Sequence, residues 1–311
     1  MEKDTRRRIQ KIKGGSYIIT LPPDWIRRNN LDAKSEVFVI EKDGEIIIKP
    51  TKNYSDKKSI NLDSNDIDTV KYLINVYYMQ GIVEILVESK STISAEIKNE
   101  LKNLQLYLPG LYVESESFNY IKFRVQDNLT INLIDEMKNF SQKLLTLLED
   151  LEKIVNNPNK EMALDLRNRA DDLYKPYNLL IRKIALISQK EEQFLLKGIS
   201  TRDLILYAIA MRDMGRMLSH IKTASTIITE CNESVEELSK LTTIIITMFK
   251  EALEVFFDQK LENIKDIREK MRQINKITNN ILCKELGKEL VRIGSYCIAL
   301  MDDGVHMSVK L

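Results

Sequence analysis

Residues Arg6 to Asn30 read RRRIQKIKGGSYIITLPPDWIRRNN, and they set the question for the whole chain. Between Arg6 and Arg28 stand seven cations (Arg6, Arg7, Arg8, Lys11, Lys13, Arg27 and Arg28) and one acid, Asp24, whereas the 311 residues together carry 47 Lys/Arg against 46 Asp/Glu. The positive charge belongs to one end of the molecule. Ser16 to Leu21 alternates, with Tyr17, Ile19 and Leu21 on one side, which predicts a strand. Pro22-Pro23 ends it, because a residue without an amide hydrogen cannot extend a ladder but suits the first turn of a helix. A short helix carrying Trp25, the only tryptophan, and Ile26 follows. Next comes EVFVIEKDGEIIIKP, Glu36 to Pro50, with two apolar runs around Asp43-Gly44, the dipeptide of a tight hairpin.

This first segment, residues 1–50, has little with which to build a core, since a domain of that size buries only about 60% of its unfolded surface. Dimerisation is the economical remedy. It also gives an unpaired strand such as Ser16 to Leu21 an edge to join.

Residues 51–127 change period. A strand at SINLD precedes a helix whose predicted apolar face is Ile67, Val70, Leu73, Ile74 and Tyr77. Gly81 stops that helix and IVEILVE is the next strand. A second helix carries Ile93, Ile97, Leu101 and Leu104, and Pro109-Gly110 leads into two closing strands. The order β-α-β-α-β-β predicts a small two-layer α/β sandwich.

From residue 128 to the end, Gly and Pro become scarce and apolar residues recur at three and four. Six helices are predicted, at 128–155, 160–196, 200–231, 234–259, 262–283 and 285–309. A repeat runs through them. EMALDLRNR from Glu161 recurs as ENIKDIREK from Glu262, an offset of 101 residues; GRMLSHI from Gly215 recurs as VRIGSYCI from Val291, an offset of 76. Their common order predicts two three-helix bundles, about 128–231 and 234–309.

Composition excludes several classes. No apolar run reaches the roughly 18 residues that cross a bilayer, and no apolar leader follows the basic start, so a cytoplasmic protein without membrane insertion is expected. Cys231, Cys283 and Cys297 form no C-x-x-C and have only His220 and His306 beside them, which speaks against a zinc site and a disulfide scaffold; the expectation is buried free thiols. No P-loop, dinucleotide fingerprint or nucleophile set is present, so catalytic residues and cofactors are expected to be absent.

The segment KIKGGSYIITLPPDWIRRNNL with the VFVIEKDGEIIIKP hairpin resembles the SpoVT-AbrB domain found at the N-terminus of archaeal regulators. The helical region is similar to a PhoU domain, and the middle segment, through LINVYYMQGIVEILV and LPGLYVESESFNYIKF, to the linker that joins the two in archaeal phosphate uptake regulators. The first resemblance implies a swapped-hairpin barrel made by two chains, which binds double-stranded DNA through residues near the dimer axis. Carried over by position, these are Arg6, Arg7, Arg8, Lys11, Lys13, Ser16, Tyr17, Arg27 and Arg28. One departure is Lys34-Ser35, where the family often has Gly-Asp. The PhoU resemblance implies metal-holding acids one turn apart on the third helix of each bundle. Here those positions read Gly215 and Ser219, and Val291 and Ser295, so no metal site of that type is expected.

Blander readings stand beside these. The arm is either a solvated tail or a phosphate-facing surface. Glu161 with Asp165, and Glu262 with Asp266, either chelate a cation or lie exposed near helix starts where negative charge is favoured. Asp171, Asp172 and Asp203 read as a solvated face, and Tyr77-Tyr78 and Phe256-Phe257 as core. Arg216 with Ser219 either holds an anion or is structural, as is His220. The leading reading is a dimeric DNA-binding regulator of phosphate uptake; the alternative is a PhoU-like adaptor on a phosphate transporter or signalling protein, and an enzyme comes last.

Overall fold

A computed structural model describes residues 6–42, 44–50, 57–126, 132–189, 199–230 and 235–309. The chain divides into two units, Met1–Ser55 and Asp56–Leu311.

In the first unit, β1 (Gln10–Lys11) pairs antiparallel with β2 (Tyr17–Ile18), helix α1 spans Pro23–Arg28, and β3 (Val37–Lys42) pairs antiparallel with β4 (Glu45–Pro50). Lys42 faces Glu45 across a two-residue turn, and Gly44 takes the positive φ, +84°, that such a turn demands; Asp43 lies outside the described residues. The strand expected over Ser16 to Leu21 is shorter than its alternation suggests, because beyond Ile18 no neighbour supplies ladder partners. Nor do the described strands close into a barrel within one chain; they form two separate two-stranded sheets. Among the residues of this unit whose side chains are described, none is buried. Trp25 and Ile26 are half-buried, and Ile9, Tyr17 and Ile46 are 71%, 66% and 69% exposed.

The second unit begins with a four-stranded sheet. Strands β5 (Lys57–Asn61), β6 (Glu84–Glu88), β7 (Leu111–Ser117) and β8 (Tyr120–Val125) lie in the order β5-β6-β8-β7; β5 and β6 are parallel, the rest antiparallel. Helices α2 (Ile67–Met79) and α3 (Ala95–Lys102) complete the expected order. Asp66 caps α2 by accepting from the Thr69 amide at 2.8 Å, and Ser94 caps α3 through the Ile97 amide. The fully buried row of α2 is Val70, Ile74 and Tyr78, spaced by four; Tyr77, predicted for that row, flanks it half-buried. They meet Ile85, Val87, Ile121 and Phe123 from alternate positions of β6 and β8.

Six helices follow among the described residues: α4 (Leu133–Asn156), α5 (Lys160–Gln189), α6 (Thr201–Ile228), α7 (Val235–Asp258), α8 (Ile264–Thr278) and α9 (Lys284–Ser308). α8 stops about a turn earlier than its periodicity suggests. Asn279 and Asn280 end it, with the Asn280 amide on Ile277 O and the Lys284 ammonium on Asn279 O at 2.9 Å. Helices α4, α5 and α6 pack on one another, as do α7, α8 and α9, while α6 lies against α9 and α4 against α7. Equivalent helices of the two halves thus face each other, as in a two-fold arrangement.

Side chains carry the same relation. Arg169 meets Asp150 at 2.7 Å and Lys270 meets Glu251 at 2.6 Å, two α4–α5-type pairs offset by 101 residues. Asp213–Arg216 at 3.7 Å and Glu289–Arg292 at 3.6 Å are offset by 76. His220 and Tyr296, also 76 apart, stack at 5.7 Å with planes 21° apart, as residues on a pseudo-two-fold axis would. The cysteines depart from expectation. Cys297 is a buried free thiol, but Cys283 is disulfide-bonded; it precedes α9 and is half-buried against the bundle core. Cys231 lies outside the described residues.

Among the side chains that join sheet and bundle, one is fully buried. Arg182 of α5 is fully buried, and its Nη1 donates to Tyr78 O at 2.6 Å and Ile82 O at 2.9 Å, satisfying carbonyls where α2 ends. Its guanidinium also lies 4.9 Å from the Tyr78 ring centroid. Arg182→Ala leaves those carbonyls without this donor, so the full chain is expected to lose about 3 kcal/mol of unfolding free energy in urea titration, whereas the same change at exposed Arg167 costs under about 0.5 kcal/mol.

Candidate nucleic-acid interface

The arm acquires its shape from a hairpin. The Ile12 amide donates to Ser16 O at 2.9 Å and the Gly15 amide to Ile12 O at 3.2 Å, which folds Lys13-Gly14-Gly15 into a tight turn. Gly14 and Gly15 have φ of +122° and +99°, and a Cβ on either would meet nothing within 4 Å. Glycine is therefore required by backbone conformation and not by crowding. The hairpin places Lys11 opposite Tyr17, with the ammonium 5.8 Å from the ring centroid. Arg6, Arg7, Arg8, Lys13 and Ser16 are all exposed. They therefore stand free to meet a polyanion, and the hairpin brings Lys11, Lys13, Ser16 and Tyr17 together.

Arg27 and Arg28 sit in the last turn of α1, where cations oppose the helix dipole. Both are tied to Asp24: Arg27 by an ion pair with its carboxylate, Arg28 by a 3.4 Å hydrogen bond from Nε to its carbonyl. At 77% and 71% side-chain exposure, the Arg27–Asp24 pair is weak and can yield to a phosphate. The link to β3, where Lys34-Ser35 departs from the family pattern, is held by Asp32. Its carboxylate accepts from the Lys34 amide at 2.9 Å and the Ser35 hydroxyl at 3.0 Å, and these bonds hold its pKa below the usual carboxylate range. An Asp-centred turn replaces the glycine.

In the helical region the other singled-out residues resolve into pairs. Asp165 accepts from Arg169 at 2.8 Å, and that arginine also holds Asp150, so the carboxylate carries a guanidinium. Asp171 pairs with Lys222 and Asp172 with Lys175 at 2.8 Å. His220 Nδ1 lies 2.5 Å from Glu289. Tyr78 and Phe256 are buried and Phe257 is half-buried. Sequence reading missed Asp213 of α6 and Asp303 of α9, which are buried inside the helical region. Burial raises both, and pushes Asp303 up to about 7, helped by Asp213 and Asp302; one Asp303 oxygen has no hydrogen-bond partner among the described residues. An acidic residue on an otherwise apolar helical stripe is the signal that was available.

Residues 10–56 match the family described as antidote-toxin recognition MazE, bacterial antitoxin. No curated protein and no solved structure matches the chain. The N-terminal unit is thus a MazE/AbrB-type domain, followed by a large helical region. Among the described residues no helix is long and apolar enough to cross a membrane.

Two outcomes follow from this geometry. Gly14→Ala, which forces an L-residue to φ +122°, is expected to destabilise the hairpin by about 1–2 kcal/mol, read as faster amide hydrogen exchange over residues 10–18 with no change in the bundle. Asp303 has a folded pKa above its unfolded one, so its contribution to stability falls as pH rises from about 4 to about 7. Asp303→Asn is therefore expected to be more stable than the parent at pH 8, by about 2–4 kcal/mol in urea unfolding, with the gap closing towards pH 5.

Proposed function

We propose that this protein is a dimeric DNA-binding transcriptional regulator, in which paired N-terminal units grip the duplex and the helical region receives a signal or a partner. The observation that carries the reading is the match of residues 10–56 to a MazE/AbrB-type domain whose described side chains are all at least partly exposed. Such a unit gains a core by pairing with a second copy. Pairing also doubles the cations on one face: Arg6, Arg7, Arg8, Lys11 and Lys13 contact phosphates with Ser16 and Tyr17, while Arg27 and Arg28 leave Asp24 for the duplex.

The resemblance of the bundle to PhoU domains makes phosphate uptake the process regulated, and a phosphate transporter or signalling protein a further partner, in a cytoplasmic, non-enzymatic protein. The internal duplication, two three-helix repeats with their third helices face to face, supports the PhoU-like reading. A second reading comes from the family's printed description, recognition of a protein toxin by the same unit. It requires a heteromeric complex in place of a homodimer on DNA.

The test is duplex binding by fluorescence anisotropy across a salt series. Affinity is expected to fall steeply with salt. If each of Arg7 and Arg8 in two copies neutralises one phosphate, Arg7→Ala/Arg8→Ala reduces the log–log slope by about 3 to 4. An unchanged affinity and slope would show that the arm does not face DNA.

A further inference from the structure

One difference between the second repeat and the first opens a cleft. A cavity of about 660 Å³ lies between the end of α8 and the first half of α9. Its polar lining is Asn275, Thr278 and Asn279 from α8, and Lys284, Lys288 and Arg292 from α9. No carboxylate among the described residues lines it. The three cations recur every four residues, so each step rises about 6 Å and the row runs about 12 Å. Lys284 is fixed by its bond to Asn279 O, and Lys288 has no ion-pair partner among the described residues. Among the described residues, the ion pair of Arg292 is the loose 3.6 Å contact to Glu289. The row starts at the N-terminal end of α9, where unpaired amides and the helix dipole favour negative charge.

The corresponding place in the first repeat is closed. At the offsets fixed by the repeated ion pairs, Asn275 and Thr278 stand where the first repeat has Tyr174 and Tyr177, and Val291 where it has Gly215. The two tyrosines meet edge to face at 6.2 Å, and the Tyr177 ring so crowds Gly215 that a Cβ there would lie 2.5 Å from it. Asn178, the counterpart of Asn279, donates to Tyr107 O beside the sheet at 3.4 Å. On the facing helix, Lys284 replaces Ala208, while Lys288 and Arg292 keep the charges of Arg212 and Arg216. One copy fills this space with rings and covers its end; the other removes the rings and adds a cation.

We infer that this cleft binds a small anion bearing two or more phosphate-type groups. The cleft is an open groove whose volume is nonetheless enough for a compact ligand, and its cations lie in one short row. A row of about 12 Å is longer than one phosphate can satisfy. The side-chain amides of Asn275 and Asn279 are left to hydrogen-bond the uncharged part of the ligand.

Isothermal titration of the full chain with inorganic tripolyphosphate, at about 150 mM salt so that diffuse surface attraction is screened, tests this. One site per chain is expected, with affinity at least about tenfold above that for orthophosphate, the order of one hydrogen bond to a charged group. Lys288→Ala should weaken binding about tenfold, and Lys284→Ala/Lys288→Ala further. Thr278→Tyr, which restores the first repeat's ring without changing charge, should abolish binding; if it fails to fold by circular dichroism, exposed Lys288→Ala still decides. Absence of tripolyphosphate binding, or affinity unaffected by Lys288→Ala, overturns the proposal. So does a folded Thr278→Tyr that binds normally, since the attraction would then be surface charge alone. A duplex-DNA titration weakened by the lysine changes while tripolyphosphate fails to bind would reassign the face to nucleic acid and overturn it as well.

Discussion

The first 50 residues contain no buried side chain among those described, and the account of this protein depends on that constraint. Ordering a backbone costs roughly 1–2 kcal/mol per residue, and burial of apolar surface is what normally offsets it. Here Ile9, Tyr17, Ile18, Phe38, Val39 and Ile46 face outward and the two small sheets do not meet in one ladder. On the proposed reading the missing contacts come from another copy of the unit. On the same reading a modest run of cations becomes a recognition surface, because two arms then act together while the net charge of the whole chain stays near zero.

The second unit solves the opposite problem, that of holding unlike layers together. Arg182 of α5 donates to two carbonyls at the end of α2, so one buried guanidinium serves both layers. Gly81, with φ of +88°, lets the chain turn directly beneath Leu186, which would lie 2.8 Å from any Cβ there. The two halves of the bundle differ. The first meets the sheet, through Arg182 and Asn178; the second leaves the matching face open and basic.

Much of this was legible in the sequence. Helix and strand order followed from period and punctuation, since Gly81, Gly110 and Pro22-Pro23 each stand where the chain changes element. The offset of the echo at Glu161 and Glu262 recurs in the Arg169–Asp150 and Lys270–Glu251 ion pairs. What the sequence hid was mostly long-range. The choice of Tyr78 over Tyr77 for the buried row depends on which face of α2 meets the sheet, and Arg182 looks like any helical arginine until the carbonyls it serves are located. The short extent of β2 follows from the lack of a second edge beside it among the described residues. Of the candidate interface residues, the grouping in the hairpin was legible from Gly14-Gly15, whereas the restraint of Arg27 and Arg28 by Asp24 needed the helix geometry.

The central claim is that two copies of the chain complete the N-terminal unit and that this dimer is what holds DNA. Sedimentation equilibrium of the full chain mixed with a labelled duplex, followed at the wavelength of the label, measures both parts at once. The account predicts a complex with the mass of two chains on one duplex, and free protein sedimenting as a dimer. Free protein at the mass of one chain, with the label sedimenting as naked duplex, would contradict it.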